Sequence, residues 1–202
     1  MGGAGWSGAG KGVEGRAPPS RRAPPLVPQL GIPSSRIHTI PDGAPNVDEA
    51  AAAYEASLRA LPASVLPRGA SGLPVFDLIL LGVGPDGHVA SLFPGLPAVE
   101  VEGGSTWVLP VPDAPKPPPG RVTLSLPAIN AADMTVIVAM GAGKQGIVAR
   151  ALQGLARGAA RGGAPLLPCQ RVGGAAGARW LLDEAAAALL AGGEEGEGQG
   201  GE

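Results

Sequence analysis

Phe76-Asp-Leu-Ile-Leu-Leu-Gly82-Val-Gly84-Pro-Asp86-Gly87-His88-Val-Ala-Ser91-Leu-Phe-Pro94-Gly95 is an apolar run that stops at a glycine-rich turn carrying an aspartate and a histidine. The run from Phe76 to Leu81 is short, continuous and bounded by glycine, a pattern that predicts a strand buried on both faces of a parallel sheet. Ligands of such sheets sit beyond the carboxyl ends of the strands. The glycines permit a tight turn and close approach of backbone N–H groups to an anion, and Pro85 stiffens that turn. His88 then stands beside an anion site.

On the amino-terminal side, Asn46 with Glu49 three residues on reads as an N-cap and capping box. Val47, Ala50, Ala51, Tyr54, Leu58 and Leu61 keep helical spacing, so a helix is expected to pack on a sheet by its Tyr54 and Leu58 face. Pro62 to Pro74 reads as a connecting loop. On the carboxyl side, Thr106 to Val111 is a short strand candidate and Pro112 to Gly120 a proline-rich connection that cannot be helical. Arg121 to Leu126 alternates as a strand does, Pro127 to Ala132 suits a short helix, and the apolar Met134 to Met140 predicts a central strand. Gly141-Ala-Gly143 turns the chain into a helix from about Lys144 to Leu155, with Ile147, Val148, Ala151 and Leu152 inward. Trp180 to Leu182 reads as a last strand, and Asp183 caps an Ala-rich closing helix. Strand and helix alternate, so the expected class is α/β with a mainly parallel sheet flanked by helices.

Two phosphate-loop patterns fail on context. Gly82-Val-Gly84-Pro-Asp-Gly87 has the G-x-G-x-x-G spacing of a dinucleotide site, but Pro94 and Pro97 interrupt the helix that the pattern requires. Gly5-Trp-Ser-Gly-Ala-Gly10-Lys11-Gly12 has P-loop spacing with glycine where the magnesium-binding hydroxyl belongs, and four residues cannot build the preceding strand.

The 202 residues suit one domain, and 45% apolar content can supply a core, built from Leu, Val and Ile because only two Phe, one Tyr and three Trp occur. Thirty-four glycines and 23 prolines concentrate in the loops and ends. Residues 1–25 read as low-complexity sequence, 26–191 as the α/β domain and 192–202 as an acidic Gly-rich tail. A net charge of -2 gives no electrostatic case for a nucleic-acid partner. The single Cys169, with only His38 and His88, leaves too few soft ligands for zinc, so neither metal nor disulfide is expected. No run is long enough to cross a bilayer and no apolar signal-peptide core opens the chain, which points to the cytosol, with a plastid as the alternative.

Taken whole, the stretch around His88 resembles the signature of 6-phosphogluconolactonases, in the glucosamine-6-phosphate isomerase/6-phosphogluconolactonase superfamily. Ile32-Pro-Ser-Ser-Arg-Ile-His-Thr-Ile40, the Glu49 to Leu58 helix, Arg121-Val-Thr-Leu-Ser-Leu-Pro-Ala-Ile-Asn130, Gly141-Ala-Gly-Lys144 and Trp180-Leu-Leu-Asp-Glu-Ala-Ala187 follow in family order. The resemblance implies a Rossmann-like sugar-phosphate isomerase/lactonase fold and hydrolysis of a sugar-phosphate lactone without a cofactor. It also implies a leading strand, a Gly-Ser phosphate loop and an acidic-arginine motif, none of which occurs in this sequence. The expectation is a partial domain lacking its N-terminal strands.

Lactone hydrolysis needs a base for water, donors for the carbonyl oxygen as it gains charge, and a hold on the phosphate. His88 is the candidate base, since imidazole is matched to base work near neutral pH. Asp86 can accept a hydrogen bond from it and fix its tautomer. Backbone N–H groups from Gly84 to Gly87 are the candidate oxyanion donors. Family position adds Lys144 and Arg121 as phosphate ligands. Ser91 reads as a turn or helix hydroxyl, since the strained G-x-S-x-G elbow is absent. His38 is expected on the polar side of a strand, without a role, and Trp180 as a packing aromatic. Two other readings stand beside this one. An amino-sugar-phosphate deaminase of the same superfamily carries Asn-Glu-Pro after the histidine, where this chain has Ser91-Leu-Phe-Pro94. A non-catalytic remnant binding a sugar phosphate or a partner fits the absent N-terminal motifs.

Overall fold

The computed structural model describes residues 30–156, 165–173 and 177–190. The low-complexity stretch 1–25, its P-loop-like Gly5 to Gly12 and the acidic tail 192–202 lie outside the described residues. Two β layers carry the fold. A three-stranded parallel sheet has the order β1 (Ile79–Gly82), β4 (Thr135–Ala139), β5 (Arg179–Leu182). A two-stranded antiparallel ribbon joins β2 (Val108–Val111) to β3 (Arg121–Leu124). The ribbon departs from a purely alternating α/β reading.

β4 is central, as its apolar sequence requires. Ile137 is fully buried there, with Leu81 and Trp180 as its register partners in the strands on either side. The face bearing Ile79, Leu81, Ile137, Ala139, Trp180 and Leu182 packs against Ile147, Val148 and Ala151 of α3 (Gln145–Ala156), Cys169 of α4 (Pro168–Arg171) and Ala186 of α5 (Glu184–Ala187). Leu152 adds a partly buried contact. Burying each such aliphatic side chain contributes roughly 1.5–3 kcal/mol.

The expectation that Phe76 to Leu81 is buried on both faces is not met. The strand starts only at Ile79, β1 is an edge, and Leu78 and Leu80 are 49% and 65% exposed. Leu181 on the same face of β5 is 60% exposed. Among the described residues the helices cover one face of the parallel sheet. An apolar run reports what a strand requires of its surroundings, and here only half of that requirement is met.

The helix α1 (Val47–Arg59) begins as its sequence predicts: the Asn46 side chain accepts the Glu49 N–H at 2.8 Å. Glu49 completes the box differently, accepting from the Asn46 amide at 3.0 Å rather than from its backbone. Ala51 and Leu58 pack with Trp107 and Val108, so α1 seats on the antiparallel ribbon. The Glu55 carboxylate ties the two together by accepting the N–H groups of Trp107 and Val108, each at 2.9 Å. β3 ends one residue before Ser125, whose hydroxyl accepts the Ala128 N–H to cap α2 (Leu126–Asn130) and donates to the Thr106 carbonyl. The sequence pattern runs that strand on to Leu126 because a cap serine alternates as well as a strand serine does.

His38 lies in no strand. It is exposed in the irregular segment between the 3₁₀ turn Ser34–Arg36 and Pro41, and its carbonyl accepts the Tyr54 hydroxyl at 3.3 Å. Alternation around His38 mimics a strand, but no described strand runs beside it to pair with.

Candidate active site

β1 delivers Gly82 and Val83 to a turn closed by its own backbone. Gly84 N–H donates to the His88 carbonyl at 2.8 Å and Gly87 N–H donates to the Gly84 carbonyl at 2.9 Å. Val89 bridges back to Val83 and on to Leu92, and Ala90 between them adopts φ 49°, a conformation costly for a residue with a Cβ. Gly87 has φ 88°, and a Cβ there would meet Leu167 at 3.0 Å. α4 holds the turn from below: Cys169 N–H donates to the Gly87 carbonyl at 3.0 Å.

Within this turn the His88 Nδ1 lies 2.6 Å from Asp86 Oδ1. A carboxylate there accepts, so Nδ1 carries the proton and Nε2 is left as the acceptor. The imidazole also packs on Phe93 at a tilt of 34°, centroid to centroid 4.3 Å, and Phe93 is fully buried. Lys116, from the proline-rich connection, places its ammonium 3.1 Å from the same Asp86 oxygen. Burial pushes the Asp86 carboxyl up. The hydrogen bonds from His88 and Lys116, with the imidazole charge and its own backbone N–H, outweigh burial and hold it below the usual carboxylate range.

Lys144 closes the 3₁₀ turn Ala142–Lys144 that leads from β4 into α3, and its Nζ donates to the Val83 carbonyl at 2.7 Å, across the carboxyl end of β1. Asp183 anchors that turn. Besides capping α5 through the Ala186 N–H at 2.8 Å, its carboxylate accepts the Gly141 N–H with both oxygens, at 2.9 and 2.8 Å. The Gly141 bond and then the Ala186 bond hold the Asp183 carboxyl below its ordinary value. The sequence reading of Asp183 as an N-cap holds, and its grip on Gly141 adds a role in aiming Lys144. The buried Cys169 thiol is pushed up to about 11 by burial, which keeps it neutral beneath the turn.

His88, Gly84, Lys116 and Lys144 line one cleft of about 570 Å³ at the carboxyl end of β1, with Gly82, Val83 and Ala90. That volume suits a small ligand, for which clefts run from roughly 300 to 1,000 Å³. Arg121 stands outside the lining. Its Nε and Nη2 donate to the carbonyls of Pro118, Lys116 and Pro117 at 3.0–3.1 Å, and its guanidinium sits 5.4 Å above the Phe93 ring that backs the imidazole.

One sequence expectation changes. The N–H groups of Gly84 and Gly87 are already engaged inside the turn, so they are not free oxyanion donors. The glycines matter sterically: a Cβ on Gly84 would lie 2.1 Å from His88 Cε1 and Nδ1 and 2.5 Å from Asp86 Oδ1. Glycine is what lets the imidazole and carboxylate meet over the backbone. Sequence reasoning also missed Lys116, because a lone lysine among prolines carries no pattern; only the return of the β2–β3 connection over the turn reveals it. Ser91 is buried and its N–H donates to Thr123 Oγ1 at 3.2 Å, which ties the segment after His88 to β3. Among the described residues no hydrogen bond joins Ser91 to His88.

Residues 23–180 match the model of the family described as glucosamine-6-phosphate isomerases/6-phosphogluconolactonase. The chain is 43% identical over 168 residues to 6-phosphogluconolactonase from Rattus norvegicus, covering 82% of this chain and 58% of that protein. It is 42% identical over 166 residues to the Homo sapiens enzyme of that name, with the same coverage. Among solved structures, 6-phosphogluconolactonase from Trypanosoma brucei superposes with a TM-score of 0.55 at 33% identity, covering 71% of this chain and 54% of that one. The chain thus spans somewhat over half the length of the curated relatives it matches. The turn signature, the order of elements around it and a family match over most of the sequence agree: this chain belongs to the glucosamine-6-phosphate isomerase/6-phosphogluconolactonase family.

Proposed function

We propose that this chain hydrolyses 6-phospho-D-glucono-1,5-lactone to 6-phospho-D-gluconate, the lactone-opening step of the oxidative pentose phosphate pathway. The observation that carries this reading is the 2.6 Å contact of His88 Nδ1 with Asp86, which leaves Nε2 as a proton acceptor on the wall of a cleft rimmed by two lysines. Nε2 takes a proton from water as the water oxygen bonds to the lactone carbonyl carbon. Negative charge moves to the carbonyl oxygen as the carbon becomes tetrahedral. The intermediate collapses, the bond from that carbon to the ring oxygen breaks, and the imidazolium returns its proton to the leaving oxygen. Asp86 holds the ring in the required tautomer throughout.

Phosphate recognition falls to Lys144, aimed by Asp183 through Gly141, with Arg121 as a second contact through Nη1, the nitrogen its three loop bonds leave over. Gly84 leaves the room in which the His88 ring and the Asp86 carboxylate meet, and Gly87 shapes the turn. The chemistry requires water as its only co-reactant, in a cytosolic protein, with a plastid as the alternative site and neither nucleic acid nor membrane as partner. Initial rates of acid release from 6-phosphogluconolactone, corrected for spontaneous opening, test the reading. Ammonia release from glucosamine 6-phosphate tests the deaminase alternative, which is disfavoured because a buried Phe93 packs on the imidazole in the segment where a deaminase carries its acid. The exposed face of the parallel sheet favours a second reading, a sugar-phosphate-binding chain without turnover. Binding of 6-phosphogluconate without lactone opening would select it.

A further inference from the structure

Lys116 is the one charged side chain on the cleft that neither the base, its tautomer nor phosphate recognition accounts for. Its position is built. The Arg121 guanidinium gathers the carbonyls of Lys116, Pro117 and Pro118, and Ala114 N–H donates to the Pro119 carbonyl at 2.8 Å, so the connection is pinned at both ends of the lysine. From there the ammonium reaches the same Asp86 oxygen that accepts from His88, at 3.1 Å against 2.6 Å. An exposed lysine paired to an exposed acid contributes little. This pair differs because the acid is shared with an imidazole that lines the cleft.

We propose that Lys116 is a positioning residue for the His88 base: Lys116, Asp86 and His88 form one chain in which the ammonium fixes the carboxylate and competes with the imidazolium for it. This rests on the lactonase reading for its catalytic consequence, although the chain itself is a property of the fold. With Lys116 present, Asp86 is held in the rotamer that orients His88, and the carboxylate is shared, so imidazolium formed during water activation returns its proton readily. Without Lys116 the carboxylate serves the imidazole alone. The ring then holds a proton more tightly and is oriented less well. The other groups facing His88 do not duplicate this. Lys144 lies across the cleft on the Val83 carbonyl, Arg121 is separated by the Phe93 ring, and Cys169 beneath the turn is neutral.

The test uses the full chain with Lys116→Met and Lys116→Arg. Lys116→Met should lower kcat on 6-phosphogluconolactone by about 10-fold with KM changed less than about 2-fold, as expected for a group acting through the base. The acid limb of its pH–rate profile should move to higher pH, and Lys116→Arg should restore most of both. A readout free of turnover separates this from the lactonase reading. Following the His88 Cε1–H resonance against pH by NMR, with His38→Gln assigning the only other histidine, should show the His88 titration displaced to higher pH in Lys116→Met. An unchanged His88 titration overturns the proposal whether or not the chain opens lactones. So does a rise in KM for the phosphorylated lactone with kcat intact, which would make Lys116 a substrate ligand. If wild type opens no lactone but the NMR displacement appears, the chain of contacts stands and the lactonase reading falls.

Discussion

Gly84→Ala is the smallest change that reaches the chemistry. The added methyl would sit 2.1 Å from two ring atoms of His88 and 2.5 Å from Asp86 Oδ1. Ordinary contact begins at 3.4 Å, so the ring must recede by about 1.3 Å and the carboxylate by about 0.9 Å. Two groups pushed off the same point cannot keep a 2.6 Å hydrogen bond in its present alignment. A misplacement of about 1 Å at a reacting group costs on the order of 10²-fold, and loss of a general base on the order of 10²- to 10⁴-fold. The expected loss in kcat is therefore about 10²-fold. The fold should be nearly indifferent, because Gly84 is not among the positive-φ glycines and the clash is with side chains that can move. A change within about 1 kcal/mol corresponds to a Tm shift of about 2–4 °C for a chain of this size. Gly87→Ala is the control: φ 88° and Leu167 at 3.0 Å put the strain in the backbone and core, so roughly 1–3 kcal/mol of stability should go. Rates of acid release in a pH-stat, corrected for spontaneous opening, and calorimetric melts measure both. Gly84→Ala with kcat within about 3-fold of wild type and an unchanged Tm would show that the added methyl leaves the base in place.

Lys144→Ala should lower kcat/KM for 6-phosphogluconolactone by roughly 10- to 100-fold and leave unphosphorylated gluconolactone far less affected, since a hydrogen bond between charged partners is lost with only one of them. Equal losses on both would mark a structural lysine. Asp183→Asn should be less stable than wild type at neutral pH. Because the Asp183 carboxyl is depressed in the fold, its contribution is fully present above the unfolded value of 3.8 and disappears as pH falls through its lower folded value, so thermal melts of the two proteins should converge only at acid pH. Convergence already at neutral pH would mean that Gly141 and Ala186 do not depend on it. Ser125→Ala should cost about 2 kcal/mol in chemical denaturation, for it removes both the cap of α2 and the donor to the Thr106 carbonyl. A cost under about 0.5 kcal/mol would contradict that account.

The parts legible in the sequence were those written in local pattern. Asn46 and Asp183 as caps, the central Thr135–Ala139 strand and the inward Ile147, Val148 and Ala151 face follow from short-range chemistry that the surroundings reinforce. The His88–Asp86 pairing was legible because two residues on one glycine turn have few places to go. What stayed hidden depends on long-range placement. The antiparallel pairing of β2 with β3 brings Lys116 onto Asp86, and no local pattern encodes that return. The commitment of Arg121 to three loop carbonyls, and of the glycine N–H groups to the turn, is likewise a matter of which acceptors lie nearby. The exposed face of β1 illustrates the converse: Leu78 and Leu80 state a need for cover that the described residues do not meet.

The proposed lactone opening depends on His88 as its base. The deciding measurement is the rate of 6-phosphogluconolactone opening at neutral pH by the purified chain and by His88→Asn, each above the spontaneous background and each with circular dichroism recorded. A clear enzymatic rate is expected for the wild type, falling at acid pH as the imidazole takes up a proton, with a drop to within experimental error of background for His88→Asn and its spectrum unchanged. A His88→Asn variant that opens the lactone as fast as the wild type would place the base elsewhere, and a folded wild-type chain that does not open it at all would rule the activity out.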